Sequence, residues 1–242
     1  MRQVFARTQN VKNFISMMNN LINRPEGVPG MAIVYGEPGL GKSKTALWWA
    51  IQNDAVFIRG TNLMTGKWLL EELVEELGDI PQHWTSDLYR QCIKQLTENP
   101  RPIIVDEIDY LVNDRKTIET LRDIHDKTNV PIVLVGMGLI DKKLMKHRHL
   151  YDRISGKVKF EPLSQKDIKN IFEQLCEVQI SDCAIQHIFC RINRFRQLVK
   201  LINKAENIAS ANNLDIIDEN IIKEIINSDT ENFKAGKETQ PV

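Results

Sequence analysis

The stretch MAIVYGEPGLGKSKTALWWA, Met31 to Ala50, joins three signals in a fixed order. An apolar run, MAIVY, reads as a buried strand. Gly36-Glu37-Pro38-Gly39-Leu40-Gly41-Lys42-Ser43 follows, and helical spacing then runs from Lys42 to about Gln52. The pattern G-x-x-x-x-G-K-S between a strand and a helix is a phosphate-binding P-loop. Backbone N–H groups of residues 39–43 converge on anionic oxygens, and the helix N-terminus adds its positive dipole end. Lys42 is placed to reach the terminal phosphates and the Ser43 hydroxyl to coordinate Mg²⁺. The residues expected around the nucleotide therefore run from Gly36 through Lys44.

Working outward, AVFIR (55–59), PIIVDEID (102–109), PIVLVGMG (131–138) and KVKFEPL (157–163) read as four further strands, the last short and near an edge. Helical spacing covers Val11–Ile22, TGKWLLEELVEELG ending at Gly78, SDLYRQCIKQLTEN with Ser86 as N-cap, and residues 118–127. Strands alternating with helices predict an α/β fold with a parallel five-stranded sheet flanked by helices on both faces. After Pro162 the pattern contains only helices. This predicts a nucleotide-binding domain over 1–161, a small all-helical lid domain over 162–228, and a polar, disordered tail over 229–242.

Composition is that of a globular chain: 242 residues, 42% hydrophobic, which buries a core without disulfides or metals. Thirty-two basic and 32 acidic residues cancel, so bulk charge announces no nucleic-acid partner and any such surface must be local. No leader-like apolar segment opens the chain and no run approaches a membrane span, so the expected location is cytoplasmic, with no membrane partner. Cys92, Cys176, Cys183 and Cys190 form no Cys-x-x-Cys pair. Cys183, His187 and Cys190 would share one helix face, yet a fourth ligand is lacking, and core packing is the expected role of the cysteines.

The second half of the phosphate site is Ile103-Ile-Val-Asp106-Glu107. Asp106 ends a buried strand, where ligands of α/β sheets bind, and there it can hold Mg²⁺ through water. Glu107 is the natural base for a water attacking the terminal phosphate. A Glu beside the metal Asp favours hydrolysis over transfer to a phosphoacceptor. A GTPase is disfavoured because no Asn-Lys-x-Asp run occurs; NKAE at 203–206 lacks the final Asp. Two arginines are candidates to complete the site. Arg196, with Arg194, opens a helix after the sheet, and Arg153 in HLYDRI precedes the fifth strand, where it could serve a neighbouring subunit's nucleotide in trans.

In this order the residues resemble an AAA+ ATPase, and more narrowly the phage Mu transposition protein B family of transposon target-selection ATPases. The resembling stretches include FARTQNVKNF, IVYGEPGLGKSKTA, FIRGTNLMTGKWLLEELVEELG, PIIVDEIDYL, LRDIHDKTNVPIVLVGM, LYDRISGKVKFEPLSQKDIKNI and INRFRQLVKLINKAENIASANN. The resemblance implies ATP and Mg²⁺ as cofactors, self-assembly as a ring or helical filament on double-stranded DNA, and recruitment of a transposase. It implies that Glu107, Lys42, Arg153 and Arg196 act on the nucleotide, Arg153 as finger and Arg196 as lid sensor. It also implies that Phe5, Thr8 and Gln9 close over the base. Arg59, Thr61, Thr65 and Lys67, after the second strand, match the region that faces DNA in the family.

Two departures shape the expectation. The strand-end sensor of such ATPases is usually polar, whereas Met137 follows Gly136 here, so slow hydrolysis is expected. The separate N-terminal DNA-binding region of the phage protein has no counterpart in the sequence, so DNA contact should rest on the core. A second basic cluster, DKKLMKHRH (141–149), is read on a helix as a solvated face, a subunit interface or a DNA contact, with 59–67 preferred for DNA. Two other functions share the same core: a replication initiator or helicase loader, and a nucleotide-gated switch that binds no DNA.

Overall fold

The computed structural model describes residues 1–235. They form two compact units: Asn10–Glu161, and a second unit made of Met1–Gln9 together with the chain from Pro162 onward. The first nine residues, expected in the nucleotide-binding domain, thus group with the helical unit.

The larger unit runs α1 (Gln9–Ile22), β1 (Met31–Gly36), α2 (Lys42–Gln52), β2 (Val56–Arg59), α3 (Gly66–Glu76), α4 (Thr85–Glu98), β3 (Ile103–Asp106), a 3₁₀ turn (Ile108–Tyr110), α5 (Arg115–Thr128), β4 (Ile132–Val135), α6 (Ile140–Leu144), α7 (Arg148–Tyr151) and β5 (Ile154–Phe160). All five strands are parallel, in the order β2-β3-β4-β1-β5. Strand side chains alternate between faces, and both faces are covered. Ala32, Val34, Ile104, Val133 and Val135 meet Phe14, Met18 and Trp49 of α1 and α2. Met31, Ile33, Ile103, Val105 and Leu134 meet the core of α3, α4 and α5 with Ile140 and Leu150 of α6 and α7. Phe14 and Trp49 stack edge to face, with centroids 6.3 Å apart.

Local chemistry sets the boundaries. The Thr65 hydroxyl accepts from Trp68 N–H and caps α3, and Gly78 takes φ +85° just past its end. Asp114 caps α5, and Asn129 closes it in the left-handed conformation. The N-cap of α4 is Trp84, without a side-chain hydrogen bond, so Ser86 lies inside the helix rather than capping it. The edge strand β5 starts at Ile154, three residues before the expected KVKFEPL, because pairing with β1 from Met31 onward draws Ile154, Ser155 and Gly156 into the ladder. The basic cluster 141–149 is carried by α6 and α7, two short helices with a break between them, rather than by one helix.

The smaller unit holds α8 (Gln165–Leu175), β6 (Gln179–Ile180), α9 (Asp182–Arg191), α10 (Phe195–Ala211), β7 (Ile216–Ile217) and α11 (Glu219–Ala235). Ser164 and Asp167 form a reciprocal capping box that starts α8. Ile168, Phe172, Ile188, Leu198, Ile202 and Ile222 form its core. The unit is not purely helical, because β6 and β7 pair in parallel over two residues each. Helix α11 continues to Ala235, so the first part of the expected tail is helical; 236–242 lie outside the described residues. The N-terminal strap is tied to this unit through the Met1 ammonium, 2.9 Å from Glu177 and Glu206, and through Arg2 N–H to Leu175 O at 2.8 Å. Cys92 and Cys176 are buried, and burial pushes the Cys92 thiol up to about 12. Cys183 and Cys190 are exposed, contrary to the core role expected for them. Among the described residues no helix is long and apolar enough to cross a membrane.

Two contacts in the larger unit carry measurable consequences. Buried Asn10 bridges α1 to the end of β5: its amide donates to Glu161 O at 2.8 Å and accepts from Glu161 N–H at 3.0 Å. Asn10→Ala leaves these backbone groups unpaired and should cost roughly 1–3 kcal/mol in urea unfolding. The buried His125 ring donates from Nδ1 to Val130 O at 2.8 Å and accepts Gly30 N–H on Nε2 at 3.1 Å, which fixes the neutral tautomer. Burial lowers its pKa from the ordinary histidine value. The unfolded chain therefore binds the proton more readily. The stability His125 contributes is present above about pH 6.5 and is lost as pH falls through the folded-state value. Urea midpoints at pH 7.5 and 5 should differ less in His125→Gln than in the parent; equal differences would remove His125 from the account.

Candidate functional site

The phosphate loop joins β1 to α2. Gly36, Gly39 and Gly41 take φ of +150°, +85° and +98°. A Cβ on Gly36 would lie 2.5 Å from Phe160 O of the neighbouring β5, so the close approach of two strands requires glycine there. Leu40 is buried and anchors the loop in the α1–α2 face of the core. Glu37, Pro38 and Lys44 are exposed, and Gly39, Lys42 and Ser43 are half-buried. The Lys42 ammonium spans the loop, donating to Gly36 O at 2.8 Å and Glu37 O at 3.0 Å. Burial lowers its pKa, against the pull of Glu107, Asp106, Asp109 and Glu37.

Asp106 ends β3 and is 2% exposed. Its Oδ1 accepts from the Ser43 hydroxyl at 3.1 Å. Its Oδ2 is buried and accepts no hydrogen bond, although Arg59 Nε lies 3.4 Å away, at ion-pair distance. A buried carboxylate oxygen without a hydrogen bond, beside a hydroxyl, is a hard-oxygen set that suits Mg²⁺. Glu107 follows in the left-handed conformation, φ +54° and ψ +39°. Gly60 makes room for it: a Cβ there would meet Glu107 O at 2.8 Å, and Gly60 N–H donates to Asp106 O at 2.8 Å. Burial raises the Glu107 pKa, Asp106 and Asp109 push the same way, and Lys42 and Arg59 oppose them.

The end of β4 lies beside this group. Asp109 Oδ2 accepts Met137 N–H at 2.6 Å, and its Oδ1 pairs with Lys143 at 3.1 Å. A Cβ on Gly136 would strike Asp109 Oδ2 at 2.8 Å, and one on Gly138 would meet Glu37 Oε1 at 3.1 Å. Met137 is exposed, and the contact to Asp109 is made by its backbone N–H.

The structure thus brings together Gly36–Ser43, Asp106 and Glu107, and adds Asp109, Gly60 and Arg59. Asp109 was legible in the sequence as the third carboxylate of Asp-Glu-Ile-Asp, yet only the fold shows it bridging two loops. Arg153 lies elsewhere. It stands at the start of β5, its carbonyl accepting Met31 N–H at 3.1 Å, which is the opposite end of the sheet from the loop after Gly36. Its guanidinium is held by Asp126, Nε to Oδ1 at 2.7 Å and Nη2 to Oδ2 at 3.1 Å, and that pairing lowers the Asp126 pKa. It is not brought together with the phosphate loop. Arg196, exposed in the first turn of α10, and Phe5, Thr8 and Gln9 belong to the smaller unit; Thr8 is buried there and Gln9 N–H donates to Asp167 at 2.8 Å. Of the DNA candidates, Arg59 lies against Asp106, Thr65 caps α3, Lys67 pairs with Glu71 at 3.4 Å, and Thr61 is exposed. His187 lies 3.6 Å from Glu219, and among the described residues no three His, Cys, Asp or Glu side chains are placed to hold a metal ion by themselves.

This fold and site define a P-loop nucleotide-binding domain of the AAA+ type. Residues 26–144 match the family described as "AAA domain". A "Potential ATP-binding protein" of Staphylococcus aureus is 30% identical over 131 residues, covering 50% of this chain and 48% of that protein. The "ATP-dependent target DNA activator B" of Escherichia phage Mu is 27% identical over 177 residues, covering 69% of this chain and 54% of the phage protein. The chain thus spans about half the length of these curated relatives. Among solved structures, the Aeropyrum pernix ORC2 protein in its ADPNP–ADP complexes shares the fold with a TM-score of 0.72 at 15% identity, over 93% of this chain and 69% of that one.

Lys42→Ala removes the cation that spans the loop. It should weaken binding of a fluorescent ATP analogue by at least about tenfold, roughly 1.4 kcal/mol, while the urea midpoint stays near that of the parent.

Proposed function

We propose that this protein is an ATPase that assembles on double-stranded DNA when ATP is bound and recruits or activates a transposase there. The observation that carries the reading is the similarity to the phage Mu activator, which extends over 69% of this chain. The site geometry supports the ATPase part. Lys42 and the loop N–H groups would bind the phosphates, and Ser43 with Asp106 would hold Mg²⁺. Mg²⁺ bound there supplies neutralisation of phosphate charge. Glu107, whose carboxyl binds a proton more readily than usual, accepts the proton of the attacking water as the bond between the β- and γ-phosphates breaks and ADP leaves. Met137 offers no side-chain hydrogen bond to that water, which favours slow turnover. Arg153, at the opposite end of the sheet from the phosphate loop, would complete the site of a neighbouring subunit.

DNA contact through 59–67 would couple to the site directly, because Arg59 belongs to both. A replication initiator or loader shares the fold, as the ORC2 likeness shows for the fold alone; co-purification of a helicase in place of a transposase would favour it.

The reading is tested with Glu107→Gln. The variant should bind ATP as the parent does, hydrolyse it about 100-fold more slowly, and remain on DNA longer in filter binding. Affinity of the parent for DNA should fall linearly in log–log form with salt and show no strong sequence preference. ATP-bound parent protein that retains no DNA at low salt would refute the assignment.

A further inference from the structure

Two surface patches of the larger unit have side chains that the fold leaves uncovered. The first is the segment from Glu71 to Arg90, covering most of α3, its connection to α4, and the start of α4. Ile80 is 84% exposed and Trp84 is 68% exposed. Neither is loosely held. Asp79 accepts from Ile80 N–H, Gln91 and Gln95, and Gln91 also binds Ile80 O and Gln82 N–H, so the connection is braced on α4. The same segment carries Glu71, Glu72, Glu75, Glu76, Asp79 and Asp87 against one cation, Arg90.

The second patch is α6–α7 with the turn before it. Leu139 is 63% exposed, and Met137 and Met145 are exposed beside it. Lys142, Lys143, Lys146 and Arg148 stand here, with no carboxylate between Lys142 and His149. Lys143 is engaged by Asp109; Lys142, Lys146 and Arg148 have no ion-pair partner among the described residues. The patches lie over different parts of the sheet. Helix α3 packs on β2, at one edge, and α6 packs on β1, with β3 and β4 between those strands.

We propose that these patches bind each other between copies of this chain, the acidic α3–α4 face of one subunit docking on the basic α6–α7 face of the next. Each patch offers what the other lacks: bulky apolar anchors rimmed by charge, of opposite sign. Because the patches are different surfaces set apart on one unit, the contact is heterologous, and repetition generates a ring or a helical filament rather than a closed pair. The exposed apolar side chains of the basic patch favour protein over DNA as its occupant, since phosphate contact needs cations alone. The inference rests on the proposed assembling function and supplies the surfaces for it.

Charge exchange tests it. Sedimentation velocity with ATP would compare the parent, Lys142→Glu/Lys146→Glu, Glu75→Lys/Glu76→Lys, and the chain carrying all four substitutions, with circular dichroism to confirm folding. All four positions are at the surface and outside the nucleotide site. Each pair alone should raise the concentration needed for assembly by at least about tenfold, and the fourfold chain, whose charges are again opposite, should recover it. Mixing the two pair variants should restore assembly as an alternating array, because both junctions between unlike copies, the native and the exchanged, are again of opposite charge. Assembly unaffected by either pair, or failure of the fourfold chain to recover, would overturn the contact. So would a basic-patch variant that assembles normally and loses DNA, which would assign that patch to DNA. A parent that assembles without retaining DNA would leave the contact standing and refute the proposed function, whereas one that retains DNA as a monomer would do the reverse.

Discussion

Ser43 stands in the first turn of the helix after β1 and Asp106 ends β3, and these two strands are not neighbours. With β4 lying between β1 and β3, the 3.1 Å contact of Ser43 with Asp106 requires β4 to stop short and its chain to turn away at Gly136. Everything at the site follows from that constraint. The gap above the end of β4 is where the loop after β1 and the carboxylates after β3 can face each other. Asp109 closes the floor by taking Met137 N–H, and Gly60, Gly136 and Gly138 leave room where any side chain would intrude on these loops. The parallel sheet is thus the device that brings the ends of β1, β3 and β4 to one edge, and the strand order decides which of them can meet there.

The constraint also explains why the charges at the site are only half compensated. Asp106, Glu107 and Asp109 gather within one turn of chain, opposed by Lys42 and Arg59. Lys42 is drawn toward loop carbonyls and Arg59 is open to solvent on its far side, so neither neutralises Asp106 Oδ2 by a hydrogen bond. A site built this way gains most from a ligand that brings its own cation.

Much of this was legible from residue order. Strand positions followed from continuous apolar runs, and the P-loop with the Asp106–Glu107 end followed from motif and context together. What failed did so for physical reasons. The start of β5 was hidden because Ser155 and Gly156 carry no apolar signal; their strand conformation comes from pairing with β1, a nonlocal partner. Ser86 has the right chemistry for a cap, but α4 begins two residues earlier, with Trp84 at the cap position. The pairing of β6 with β7 spans a helix pair and only two residues per strand, too short for periodicity to register. At the site, Arg59 read as the end of the second strand and a DNA contact, because nothing in local sequence reports that β2 lies beside β3 and sets Arg59 opposite Asp106.

The left-handed backbone at Glu107 has an evolutionary cost. A non-glycine residue in that conformation gives up about 1–2 kcal/mol, which Gly would recover and Asn would partly recover. Random drift at this position is therefore rewarded with a more robust fold at the moment the carboxylate is lost. A selection for thermostability alone would be expected to fix Gly or Asn at position 107, so Glu there carries a backbone cost that the architecture itself does not require.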